Sequence, residues 1–127
     1  MNNSKRKNRL SVIMKKVNKA FGLTISKRKR AVEYVYARAV YYKLARELTH
    51  YPLTHIGVLV NKDHACVLHG LKTFELLKHW NETSYIEPYE RMFLELKNDF
   101  YFNDIADGKN KDKYYALLNH HIELKQK

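Results

Sequence analysis

The stretch from Thr49 to Leu71, THYPLTHIGVLVNKDHACVLHGL, consists of two short apolar-periodic segments joined by a tight polar break. The first holds Leu53, Ile56, Gly57 and Val60, and the break is Asn61-Lys62. The second opens at Asp63 and carries Val67, Leu68, Leu71 and Phe74 at helical spacing. Asn61 is a candidate cap for this second segment, and Asp63 a first-turn carboxylate that a helix dipole favours. Two short helices across a brief turn in a basic chain suggest a helix-turn-helix. The second helix of such a pair enters the major groove of DNA.

The residue types narrow this further. Ala45-Arg46-Glu47-Leu48-Thr49 is followed by Leu53, Ile56 and Gly57, and then by Lys62-Asp63-His64-Ala65-Cys66-Val67-Leu68-His69-Gly70. This order resembles the C-terminal DNA-binding domain of DnaA, the bacterial replication initiator. That family carries A-[KR]-E-L-T, then S-L-x-E-I-G, then R-D-H-[ST]-T-V-L-H-A. Three departures stand out. Pro52 occupies the place of the capping serine, the inter-helix turn is one residue shorter, and Ala65-Cys66 replace two hydroxyl residues.

Upstream, Leu10, Ile13, Val17, Ala20 and Phe21 share one helical face, which predicts an amphipathic helix from Arg9 to Phe21 ended by Gly22. The resembled family has a matching helix, I-x-x-x-V-x-x-x-[FY], which extends the likeness to about residues 10 to 79. Ser26-Lys27-Arg28-Lys29-Arg30 stands where the family has its basic loop. Ala31 to Leu48 reads as a long helix. Val35, Tyr41, Leu44, Ala45 and Leu48 face its core, and Arg38, Tyr42 and Arg46 lie on another face.

Charge agrees with a polyanion partner. The 127 residues carry a formal charge of +11. The first thirty residues hold eleven Lys and Arg and no acid, and the remainder is balanced. No apolar run approaches a membrane span, no signal-peptide pattern opens the chain, and the single cysteine fits a reducing compartment. A cytoplasmic, nucleoid-associated location is expected. Glycine and proline are scarce and no alternating strand pattern appears, so the class is all-α.

Beyond Trp80, Tyr89, Met92, Phe93, Leu96 and Phe100 predict a helix over Pro88 to Phe102. A polar loop follows from Asn103 to Lys111, then a last helix from Lys113 to Lys125. The expected organisation is therefore a basic disordered tail (1–9), a DnaA-like, Trp-repressor-like helix-turn-helix domain (10–80), and a helical extension (81–127). The extension holds nine acids against seven Lys and Arg, a better surface for a protein partner or self-association than for DNA.

No metal or cofactor is expected. His64 and His69 are five apart with no cysteine or carboxylate at zinc spacing, and His120-His121 point to different faces. No G-x-x-x-x-G-K-[ST] motif is present, so nucleotide binding and hydrolysis are not expected, and no nucleophile–base arrangement is readable.

The resemblance implies the roles of individual residues. Arg30 would reach the minor groove from the basic loop. His64 and Ala65 would face bases in the major groove, within the run Lys62, Asp63, His64, Ala65 and Cys66. Arg28, Arg38, Arg46, Thr49, Leu53, Thr54 and His69 would lie along the phosphates, Leu53 through its N–H. The expected function is sequence-preferring binding of double-stranded DNA in replication control or transcription regulation, in a phage or mobile-element setting. The alternative is an interaction protein that uses the extension to hold a partner and has only non-specific DNA affinity.

Overall fold

The computed structural model describes residues 2–106, with side chains from 9 to 105, and consists there of five helices and no strand. They are α1 (Asn2–Phe21), α2 (Val32–Leu48), α3 (Leu53–Val58), α4 (His64–His79) and α5 (Thr83–Ala106). The expected last helix, Lys113 to Lys125, lies outside the described residues, as do His120 and His121.

Helix α2 is the central element, with α1, α3 and α4 packed on it. Its sequence suits that place. Ala37, Ala39, Val40, Tyr41, Leu44 and Ala45 are fully buried, and the small residues among them let neighbouring helices approach. The burial goes beyond the stripe expected from periodicity. Tyr34, Arg38 and Tyr42 are buried as well, while Val35 and Leu48 are half-buried. Over residues 37–42 the helix is buried on every side, so spacing alone cannot tell its faces apart there.

Helix α1 buries Leu10, Ile13 and Val17. It begins at Asn2, so the expected disordered tail is helical from there. Residues 2–9 contain neither Gly nor Pro, and extending a nucleated helix is cheap compared with starting one. At the other end Gly22 turns left-handed at φ 65°, and the Leu23 N–H returns to the Asn18 carbonyl at 3.1 Å.

The α3–α4 turn closes on Gly57. The Lys62 N–H donates to the Gly57 carbonyl at 2.9 Å, and a Cβ on Gly57 would overlap the Lys62 carbonyl. Asn61 takes φ 58° within the turn. It does not cap α4: that role falls to Asp63, whose carboxylate accepts the Cys66 N–H at 2.9 Å. The reason is conformational. Asp63 has the extended backbone of a cap, and its carbonyl accepts the Val67 N–H, whereas left-handed Asn61 can only turn the chain.

Helix α4 buries Val67, Gly70, Phe74 and Leu77. Leu68, expected on that face, is 48% exposed. Asn81 then turns left-handed, the Glu82 N–H returns to the Leu77 carbonyl, and the Glu82 carbonyl receives the Tyr85 and Ile86 N–H groups. Helix α5 thus starts five residues before Pro88, which lies inside it, and runs on through Asn103 to Ala106. The polar run 81–84 is a short turn followed by the first helical residues. The first of two compact units ends at Phe93 and takes in this opening part of α5, past the boundary expected at residue 80. There Tyr85 packs on Phe21 and Tyr36, and Tyr89 on Phe74.

Candidate nucleic-acid interface

Three pieces of chain carry the candidate residues: the loop before α2, the α2–α3 corner, and the start of α4. The loop is anchored at its root by Ile25, which is fully buried and whose N–H donates to the Asn18 side chain at 3.0 Å. Past that anchor, Lys27, Arg28, Lys29 and Arg30 are all exposed. Four cations without an acid among them concentrate positive potential on one short segment.

Arg38 was expected along the phosphates, and the structure corrects that. It is 5% exposed, and its guanidinium is used up internally. Nε donates to the Ile25 carbonyl at 2.8 Å, Nη1 to the Lys29 carbonyl at 2.8 Å, and Nη2 to the Lys27 carbonyl. The planar fork presents donors on three separate nitrogens, one to each carbonyl, a spread that the single nitrogen of a lysine does not match. Arg38 therefore shapes the basic loop from within. The register of α2 placed it on a polar face, but a buried arginine binding a loop leaves no periodic trace.

At the α2–α3 corner, Arg46 and Thr54 are exposed, and Thr49 and Leu53 are half-buried. The Thr49 hydroxyl donates back to the Ala45 carbonyl at 2.6 Å, closing α2. Pro52 precedes α3 with φ −66°, and its carbonyl accepts the His55 and Ile56 N–H groups. No side chain caps α3, in keeping with the replacement of a capping serine. Tyr41 holds the corner from below, its hydroxyl donating to the Ile56 carbonyl at 2.8 Å.

At the start of α4, Asp63, His64, Ala65, Cys66 and His69 are exposed and Lys62 is half-buried. Leu68 lies one turn beyond His64 and Lys72 one turn further, and both are exposed. Leu68 belongs to this outer surface although its apolar character pointed to the core. Its position four residues after His64 was the available sign. The Cys66 N–H bond holds the Asp63 carboxyl below the usual carboxylate range, with the neighbouring His64 acting in the same direction. Asp63 thus stays ionised as a cap, with one oxygen committed to the backbone.

The loop and the α4 entry are tied together. The Asn61 side-chain amide donates to the Ser26 carbonyl at 3.2 Å. Beneath them lies Tyr42, whose hydroxyl is pushed up to about 12, first by burial, against the opposing pull of the Arg38 charge and with Cys66 and Asp63 raising it further. The phenol stays neutral and serves as packing. So Arg28 and Arg30 on the loop, Arg46 and Thr54 at the corner, and His64, Ala65, Cys66 and His69 on α4 are exposed, and Arg38 is not among them. Among the described residues no group of three or more His, Cys, Asp or Glu is placed to hold a metal ion, and no helix is long and apolar enough to cross a membrane.

No curated protein and no solved structure matches the chain. The model of the family described as the bacterial dnaA protein helix-turn-helix matches residues 10–73, from the first buried leucine of α1 into the middle of α4.

Proposed function

The chain belongs to the bacterial DnaA helix-turn-helix family, whose model covers half of it, and we propose that it binds double-stranded DNA with a sequence preference of its own. The observation that carries this reading is the exposed start of α4 beside four outward cations of the basic loop, with the two joined through Asn61 and Ser26. Phosphate contacts from Arg28, Arg46, Thr54, His69 and the Leu53 N–H would position the protein, while both Thr49 donors are spent on the Ala45 carbonyl. His64 and Ala65 would meet base edges in the major groove, and Arg30 would enter the adjacent minor groove.

The preferred site differs from that of the parent family. His64 keeps an imidazole able to bond a base edge. Ala65 offers a methyl, suited to a thymine methyl, in place of a hydroxyl. Leu68 adds a second apolar contact on the same face. The surface therefore favours thymine-rich major-groove steps, with A·T pairs where Arg30 enters the narrow minor groove. Binding of this kind would serve control of replication initiation at origin-like sites or transcription regulation.

The test is selection of bound duplexes from a random pool, followed by gel shifts of the selected site against competitor DNA. His64→Ala should flatten discrimination among sequences, each lost base contact costing roughly 1–3 kcal/mol. Arg46→Ala should weaken all sequences alike. A standard DnaA site emerging as the best ligand, with His64→Ala changing nothing, would overturn the altered preference. Binding with no selected sequence at all would favour the rival reading, a protein-interaction module with residual DNA affinity.

A further inference from the structure

The reading of the surface as a DNA interface leaves open what sets the distance between its two parts, the cationic loop and the start of α4. Resting on that reading, we propose that Asn61 is a positioning residue that couples them, so that the protein reads its minor-groove and major-groove contacts at one fixed spacing.

The loop is held from two sides. From within, Arg38 takes the carbonyls of Ile25, Lys27 and Lys29. From the turn side, Asn61 takes the carbonyl between the first two, that of Ser26. The backbone N–H groups of Ile25, Lys27 and Lys29 are also engaged, by Asn18, Thr24 and Lys27. With these backbone groups committed partly to the body and partly within the loop, the side chains of residues 27–30 are left exposed. Arg38 ties this loop to α2, and to α4 only through the packing of the two helices. Asn61 ties it to the turn, two residues before the Asp63 cap and three before His64.

Asn61 is suited to both halves of this role. Its φ of 58° is a conformation that glycine and asparagine adopt with little cost. A glycine would make the turn equally well, but only a side-chain amide reaches the Ser26 carbonyl. The shortened turn thus combines its bend and its tether in one residue. One exposed hydrogen bond is modest in strength, but it acts on a loop already ordered by Arg38, so little conformational freedom remains for it to remove. Its effect is on register rather than on affinity.

Asn61→Gly separates the two halves, because it keeps the left-handed turn and deletes the amide. Amide hydrogen exchange on the free full chain should show residues 26–30 exchanging about threefold faster or more, with α4 unchanged. Duplexes selected by the wild type are then compared with the same duplexes carrying one inserted base pair between the A·T-rich part and the remainder. Wild type should lose roughly tenfold or more in affinity on insertion, and Asn61→Gly less than roughly threefold. An unchanged spacing penalty in Asn61→Gly overturns the proposal, whether or not exchange accelerates. So does a uniform loss on both duplexes, which marks a direct contact instead. A wild type that selects no duplex refutes the DNA reading itself, and the exchange result then stands separately on whether the tether exists.

Discussion

Arg38 and Arg46 sit two turns apart on α2, and burial alone separates their roles. Arg38 ends among three carbonyls and Arg46 ends in solvent. Hydrogen bonds from a charged group contribute more than neutral ones, and the Ile25 and Lys29 carbonyls lose the Arg38 donor while that of Lys27 keeps the Lys29 N–H. Arg38→Met should therefore cost about 3 kcal/mol in denaturant unfolding. Restoring a charge does not restore the fork, so Arg38→Lys should recover less than half of it. Where Arg38→Lys stays folded, the slope of log affinity against log salt should match the wild type, whereas loss of a true phosphate contact lowers it by about 0.9. Asp63 gives a residue-scale prediction in pH. Its carboxyl is held low in the folded protein by the Cys66 N–H, so its stabilisation is present above the unfolded value of about 3.9. It is lost as pH falls through the still lower folded value. Melting temperatures of wild type and Asp63→Ala should differ at pH 6 and converge toward pH 2, while Asp63→Asn, which also caps, should stay near wild type at pH 6.

Between elements, α2 and α4 approach closely at Gly70. A Cβ on Gly70 would overlap the Tyr42 ring. The resembled family signature has alanine at this place, so the chain combines a smaller residue on α4 with a large ring on α2. In an open helix Gly→Ala would stabilise by about 1 kcal/mol. Here overpacking reverses the sign, and Gly70→Ala should destabilise by about 1–3 kcal/mol. Adding Tyr42→Leu should recover most of that loss, a coupling that a double-mutant cycle measures directly. Because α4 carries the proposed base-reading residues, the single variant should also weaken discrimination among duplexes, and the double variant restore it. The opposite edge of α4 is held by Lys43, which reaches Glu47 at 3.0 Å and Glu75 at 3.4 Å. Its charge is thus neutralised within the protein instead of adding to the cationic surface.

For the whole molecule, the dominant quantity is the charge of +11, all of which is accounted for by cations before residue 31. Binding should therefore weaken steeply with salt. Six released counterions correspond to a loss of roughly a thousandfold between 50 and 200 mM. Reversing Arg28 and Arg30 to Glu should remove more of this slope than deleting residues 1–7, because the loop cations are held in place by Arg38 and Asn61. Filter binding across that salt range checks both, and a slope near zero would contradict the electrostatic basis of the interface.

Much of this molecule is legible from the chain alone. The helical class, the break before α4, the amphipathic stripe Leu10-Ile13-Val17 and the basic loop are all local patterns, and local patterns are what periodicity and composition record. The order of dissimilar residues from Ala45 to Gly70 carried the family. Tertiary structure decided the rest. It sent Arg38 inward, because a loop thirteen residues upstream bends back to offer its carbonyl. It sent Leu68 outward, because α2 covers a single face of α4. It moved the cap from Asn61 to Asp63 and freed the Asn61 amide for Ser26, thirty-five residues away in sequence. Each of these depends on which groups meet across the chain, and burial, hydrogen-bond partners and close approach exist only once the helices have packed.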